Sequence, residues 1–270
     1  MMQSSEMRAN GQTWQWLQKG YVIAPSLMCA DLLRLGDEIR ALEAAGADAF
    51  HVDIMDGHFV DNLALSFELL KQVRNVTHLP MDVHLMVEHP EVYMERALAA
   101  GADLCIFHGE ASRLPLRLLR TIHATGAAAG IAINPATPVE SIQLLVPQVQ
   151  MVMVMTVEPG FAGQRFISFT LDKIEQLAAL REAQDSHFTI GVDGAVSKEV
   201  VSEASARGAS FFVGGTSGVF LGDGTDFATA IEGLKQAARR CCLPLFANYS
   251  SVADGSIWGY QLDPAVVDVY

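Results

Sequence analysis

Residues 49–55 read AFHVDIM, and the alternation of this run decides the architecture. Successive side chains of a β-strand point to opposite faces, so His51 and Asp53, two apart, share one face. Ahead of the run, residues 34–45 place Leu35, Ile39 and Leu42 four and three apart. That spacing gives one apolar stripe on a helix, which Gly46 ends. Behind the run, residues 66–75 read as a second helix. A strand between two helices is the repeating unit of a parallel sheet.

The unit recurs outward in both directions. Further β-type runs occupy residues 21–26, 81–87, 103–107, 128–133, 151–155, 187–193 and 210–214. Helical patterns follow at residues 91–100, 115–124, 138–145, 171–181, 198–207 and 227–238. Eight units over residues 21–240 average about 27 residues, near the ~30 of a strand–helix pair. This predicts the α/β class and a single (β/α)8 TIM barrel with short N- and C-terminal extensions, residues 1–20 and 241–270. The extensions hold all three tryptophans, Trp14, Trp16 and Trp258. An open doubly wound sheet is the alternative, but the chain has no Gly-rich dinucleotide fingerprint.

Composition narrows the function. The 270 residues hold 18 Lys plus Arg against 31 Asp plus Glu, a formal charge of −13. Such a balance excludes a general nucleic-acid binder, which shows a basic face. By segment, residues 1–20 carry +1 and residues 241–270 carry −3, so the barrel holds −11. An anionic ligand therefore needs a local cation, backbone amides and helix N-termini rather than a basic surface. Cys29, Cys105, Cys241 and Cys242 form neither a disulfide framework nor a CxxC pair, which suits a reducing compartment. No apolar run resembles a secretory leader or approaches the ~18 residues of a membrane span. The expectation is a soluble, cytoplasmic protein with no membrane partner.

In barrels of this kind, chemistry gathers at the C-terminal ends of the strands. There the chain places His51 and Asp53, His84 and Asp193. Two imidazoles and two carboxylates converging at one mouth suit a divalent cation. Four buried polar side chains are costly without a cation or one another. His58 and His108 also lie near strand ends and are weaker candidates. Residues 157–166 (VEPGFAGQRF) and 213–220 (VGGTSGVF) are Gly-containing loops through which amides can approach a phosphate. Met55, Met86 and Met155 sit at strand ends, either as core filler or as a flexible, water-excluding lid.

APSLMCADLL, HVDIMDGHFVDN, DVHLMVEHP, NPATPVE, MTVEPGFAGQRF, VDGA and VGGTSGVF, in this order, resemble the ribulose-phosphate 3-epimerase family over residues 21–240. Three details, SLMCADLL, GFAGQ and GTSGVF, look closer to its D-allulose-6-phosphate 3-epimerase members. The resemblance implies a metal-binding isomerase of carbohydrate metabolism. His51, Asp53, His84 and Asp193 would hold one divalent cation (Zn, Fe, Mn, Co or Mg), with Asp53 and Asp193 as the catalytic acid/base pair. Substrate contacts fall on Ser26 and His84, on Gly160, Phe161, Ala162 and Gly163, on Asp193, Gly194 and Ala195, and on Gly215, Thr216 and Ser217. Met55, Met86 and Met155 match the methionines that cap the reaction centre. Two departures stand out: Asp61 replaces a proline, and Ala195 replaces the second glycine of VDGG.

The implied reaction inverts C3 of a 2-ketose phosphate through an enediolate. The first expectation is D-allulose 6-phosphate to D-fructose 6-phosphate. The alternative is D-ribulose 5-phosphate to D-xylulose 5-phosphate, and a more distant one is a phosphosugar lyase or decarboxylase. The partner is a small sugar phosphate, and a homo-oligomer is expected.

Overall fold

The computed structural model describes residues 14–239. Residues 1–13 and the expected extension 241–270, with Trp258, lie outside the described residues. Eight strands run β1 (Val22–Pro25), β2 (Phe50–Met55), β3 (Met81–Met86), β4 (Leu104–His108), β5 (Ala128–Ile133), β6 (Met151–Met155), β7 (Thr189–Asp193) and β8 (Phe211–Gly214). Every strand pair is parallel, in the order β1-β8-β7-β6-β5-β4-β3-β2. A single parallel bridge, Ser26 to His51, brings the two ends together. The protein is thus a (β/α)8 TIM barrel with a nearly closed ring.

The strands are buried on both faces, as parallel strands under helices must be. Their alternation separates two cores. Ile23, Phe50, Val52, Val83, Leu85, Phe107, Ile131 and Val154 face the helices. Val22, Ala24, Leu104, Ile106, Met151, Met153, Phe211 and Val213 fill the barrel. Close packing there needs glycine opposite bulk: a Cβ on Gly130 would lie 2.7 Å from Ile106. On β2 and β3 the inward positions are instead polar, and the functional site follows from that exception.

Seven α-helices cover the barrel among the described residues: α1 (Leu35–Ala44), α2 (Phe67–Val76), α3 (Pro90–Ala99), α4 (Pro115–Ala124), α5 (Thr170–Ala183), α6 (Lys198–Ala206) and α7 (Phe227–Arg239). Their starts carry local signals: Ser66 and Ser197 cap α2 and α6, and Pro90 and Pro115 open α3 and α4. Gly46 takes the left-handed φ of 91° expected of a helix stop.

The helix expected over residues 138–145 does not form. Two 3-10 turns, Val139–Ile142 and Val146–Gln148, stand there instead. Pro147 lies just beyond the expected helix and bars any continuation of it, since it has no amide to donate.

The described residues of the expected N-terminal extension pack against the barrel. A 3-10 turn (Gln15–Gln18) buries Leu17 among the inward-facing residues of the strands. Trp16 meets Phe211 edge-on at 6.1 Å, and Thr189 Oγ1 donates to the Leu17 carbonyl at 3.1 Å. The end of the barrel opposite the strand C-termini is thereby plugged. No described helix is long and apolar enough to cross a membrane.

Candidate active site

The register of β2 against β3 builds the floor of the site. His51 pairs with Asp82 and Asp53 with His84, so four polar side chains point inward from two adjacent strands. Asp193 ends β7 and reaches the same point from across the ring. One ligand atom from each of His51, Asp53, His84 and Asp193 lies within 4.8 Å of the others. His51 Nε2 is 3.1 Å from Asp53 Oδ1 and 3.6 Å from Asp193 Oδ2. His84 Nδ1 is 3.7 Å and 3.5 Å from the same two oxygens. The four residues expected from the sequence therefore meet at one point.

The electrostatics favour positive charge there. Burial opposes an imidazolium at His51, yet the Asp53 and Asp82 carboxylates outweigh it and push its pKa well up. Burial also opposes ionised Asp53, but His51 and His84 hold its carboxyl well below the usual range. His84 Nδ1 is buried and has no hydrogen-bond partner. A buried ring nitrogen aimed between two carboxylates, within a mixed imidazole and carboxylate set, is the donor chemistry of a divalent metal centre. The residues present fit that cation.

Further groups complete the floor, Asp82 and Glu110 among them without having been expected. Asp82 is fully buried, and its Oδ2 lies 2.7 Å from His51 Nδ1. Its signal was in the sequence, since Asp82 and His84 share a strand face. Ser26, which was expected, donates to Asp53 Oδ2 at 2.7 Å. His108 lies 2.9 Å from His84, with Glu110 behind it. Cys29 and Met28 line the pocket; burial, then Asp53 and Asp193, push the Cys29 thiol up to about 11, so it stays neutral.

Above the floor, one pocket gathers the remaining candidates. Ser26, Asp53, Met55, Met86, Met155, Gly160, Phe161, Ala162, Gly163, Asp193, Gly194, Ala195, Gly215, Thr216 and Ser217 all line it. His51 and His84 lie beneath, fully buried. Met55 and Met86 pack with Val60, and Met155 joins the barrel core, so the methionines are at once core and apolar wall. Gly160 has φ +114° over Val60, and its carbonyl accepts from Asn62 Nδ2 at 2.6 Å, which ties the two loops together. Gly194 has φ +110° and lies so close to Val157 that no side chain fits. Among the described residues, the amides of Ala195, Gly215 and Ser217 make no backbone hydrogen bond. Ala195 holds φ 50°, the left-handed region, without being glycine.

Comparison with known proteins agrees with this geometry. Residues 22–220 match the model of the Ribulose-phosphate 3 epimerase family. Ribulose-phosphate 3-epimerase of Bacillus subtilis is 39% identical over 214 residues, 79% of this chain and 99% of that protein. The Escherichia coli K12 enzyme of that name is 38% identical over 218 residues, 80% of this chain and 96% of that protein. Among solved structures, tryptophan synthase subunit alpha from Legionella pneumophila superposes with a TM-score of 0.57. It is 14% identical and covers 84% of this chain and 98% of that one, a likeness of fold alone.

Proposed function

The chain belongs to the ribulose-phosphate 3-epimerase family, and from that premise we propose that it interconverts D-ribulose 5-phosphate and D-xylulose 5-phosphate. As a member it is an isomerase acting on carbohydrates. The observation that carries the reading is the four-donor cluster beside a pocket lined by the glycine-containing loops that follow β6, β7 and β8. The expectation of D-allulose 6-phosphate gives way here. It rested on three short spellings, whereas ribulose-phosphate enzymes align with 79–84% of the chain. Nothing in the site favours the lyase or decarboxylase alternative.

The C3 proton lies α to the C2 carbonyl, so its removal gives an enediolate. Inversion needs removal from one face and return to the other, hence two acid/base groups on opposite sides. Asp53 on β2 and Asp193 on β7, with β1 and β8 between them, take these roles. Ser26 fixes the Asp53 carboxylate by donating to it. His51, Asp53, His84 and Asp193 would hold a divalent cation, which would supply Lewis-acid stabilisation of the charge that develops as the proton leaves. Met55, Met86 and Met155 exclude water from the reacting carbon. The substrate phosphate lies against Gly160 to Gly163, Gly194 and Ala195, and Gly215 to Ser217, which anchor the far end of the sugar.

Turnover in heavy water is expected to place deuterium at C3; turnover without exchange would overturn the proton-transfer mechanism. Measured side by side, kcat/KM for D-ribulose 5-phosphate should exceed that for D-allulose 6-phosphate. The reverse order would restore the hexose reading.

A further inference from the structure

We propose that His108 and Glu110 form a positioning relay behind His84, which fixes its tautomer so that the Nδ1 lone pair faces the cation. The inference rests on the metal-centre reading above. His84 Nε2 and His108 Nε2 are 2.9 Å apart, both fully buried. Two ring nitrogens at that distance share one proton, and only two assignments exist for a neutral pair. If His108 donates, His84 must carry its own proton on Nδ1 and cannot ligate. If His84 donates, Nδ1 is free to bind.

Glu110 selects the second assignment. Its Oε2 faces His108 Nδ1 at 3.6 Å, an ion-pair rather than a hydrogen-bond distance, and a carboxylate on that side favours the His108 proton on Nδ1, which leaves Nε2 as an acceptor. Glu110 is itself held: Oε1 accepts from the Asn134 amide at 2.8 Å and from the Thr137 hydroxyl. Burial raises the Glu110 carboxyl, but His108, Thr137 and the Asn134 amide bring it down to about 2, so it is ionised at neutral pH. Lys173 Nζ donates to the Asn134 carbonyl at 2.5 Å and steadies the loop that grips Glu110. Phe59 packs on His108 with 4.6 Å between ring centroids and limits its rotation.

The two metal-facing imidazoles are thus oriented in parallel ways. His51 has the Asp82 carboxylate directly behind it, 2.7 Å away. His84 has the Glu110 carboxylate one imidazole further back. Carboxylates behind ligating histidines fix the ring tautomer and raise ligand basicity.

The test measures Zn2+ affinity of the full-length protein against a competing chelator, for wild type, His108→Phe, His108→Gln and Glu110→Gln. Melting of each metal-free variant is followed in parallel. His108→Phe should weaken Zn2+ by about 10–100-fold. His108→Gln, which keeps an acceptor, should recover most of the loss, and Glu110→Gln should fall between. In 15N spectra of the Zn2+-loaded wild type, the His108 proton should sit on Nδ1. Wild-type affinity in His108→Phe, equal losses in the Phe and Gln variants, or a His108 proton on Nε2 would each overturn the relay. The spectrum decides even if a variant fails to fold. A wild-type protein that holds no divalent metal would instead remove the centre itself, a separate failure.

Discussion

The floor of the pocket and its rim are built on opposite principles. The floor puts His51, Asp53 and His84 on two strands, 0–3% exposed, and every orientation is set by ladder register and a partner behind each ring. The rim offers backbone at the ends of β6, β7 and β8, where Gly160, Gly163 and Gly194 take φ values closed to most side chains. Phe161 on that rim is 53% exposed. Side-chain chemistry therefore resides where the fold is most rigid. The proposed anion site lies where the backbone is uncovered, which would let an acidic barrel hold an anionic substrate.

Substitutions can separate the two principles. Asp193→Asn removes an acid/base group from the floor, and kcat should fall by about 10²–10⁴-fold. The melting temperature of the metal-free protein should not fall, because one of several crowded carboxylates has gone. Near-normal turnover would erase the distinction between floor and rim. Gly194→Ala strikes the rim: its Cβ would lie 2.5 Å from Val157 Cγ2 and 2.9 Å from the Val157 amide nitrogen. The displaced loop should lower kcat/KM by up to about 10²-fold and destabilise the protein by about 1–3 kcal/mol. Metal affinity should stay unchanged, and loss of metal would show that rim and floor are coupled. The smallest effect belongs to Ala195→Gly, which releases a Cβ from φ 50°. Denaturant unfolding should show a gain of about 1 kcal/mol, and KM should hold or fall.

Legibility followed the same division. The strands Ala128–Ile133 and Met151–Met155 and the helix Pro115–Ala124 were readable to the residue, since continuous burial, Pro starts and Gly stops all mark them. His51, Asp53, His84 and Asp193 were readable because polar residues at inward strand positions are conspicuous. What stands one layer back was not. Asp82 shares a strand face with His84, but its place behind His51 depends on pairing between strands, which is not written in either strand alone. His108 and Glu110 straddle the end of β4, and their role depends on a neighbouring strand in the same way. Between β5 and β6 a plausible apolar pattern yields two 3-10 turns instead of a helix. The docking of Trp14 and Trp16 on the barrel was not legible, because packing at the end of a barrel leaves no periodic trace.

The hydrogen-bonded ring has one loose joint, the lone Ser26 to His51 bridge between β1 and β2. Around that joint, His51, Asp53 and His84 stand on one side, while Asp193 is reached from the other through β8 and β7. A cation grasped by all four would act as a clasp, fastening electrostatically the bracelet that the backbone leaves almost undone. Losing it would then mean more than losing a reagent: it would slacken the hoop at the place where the two aspartates must keep their spacing.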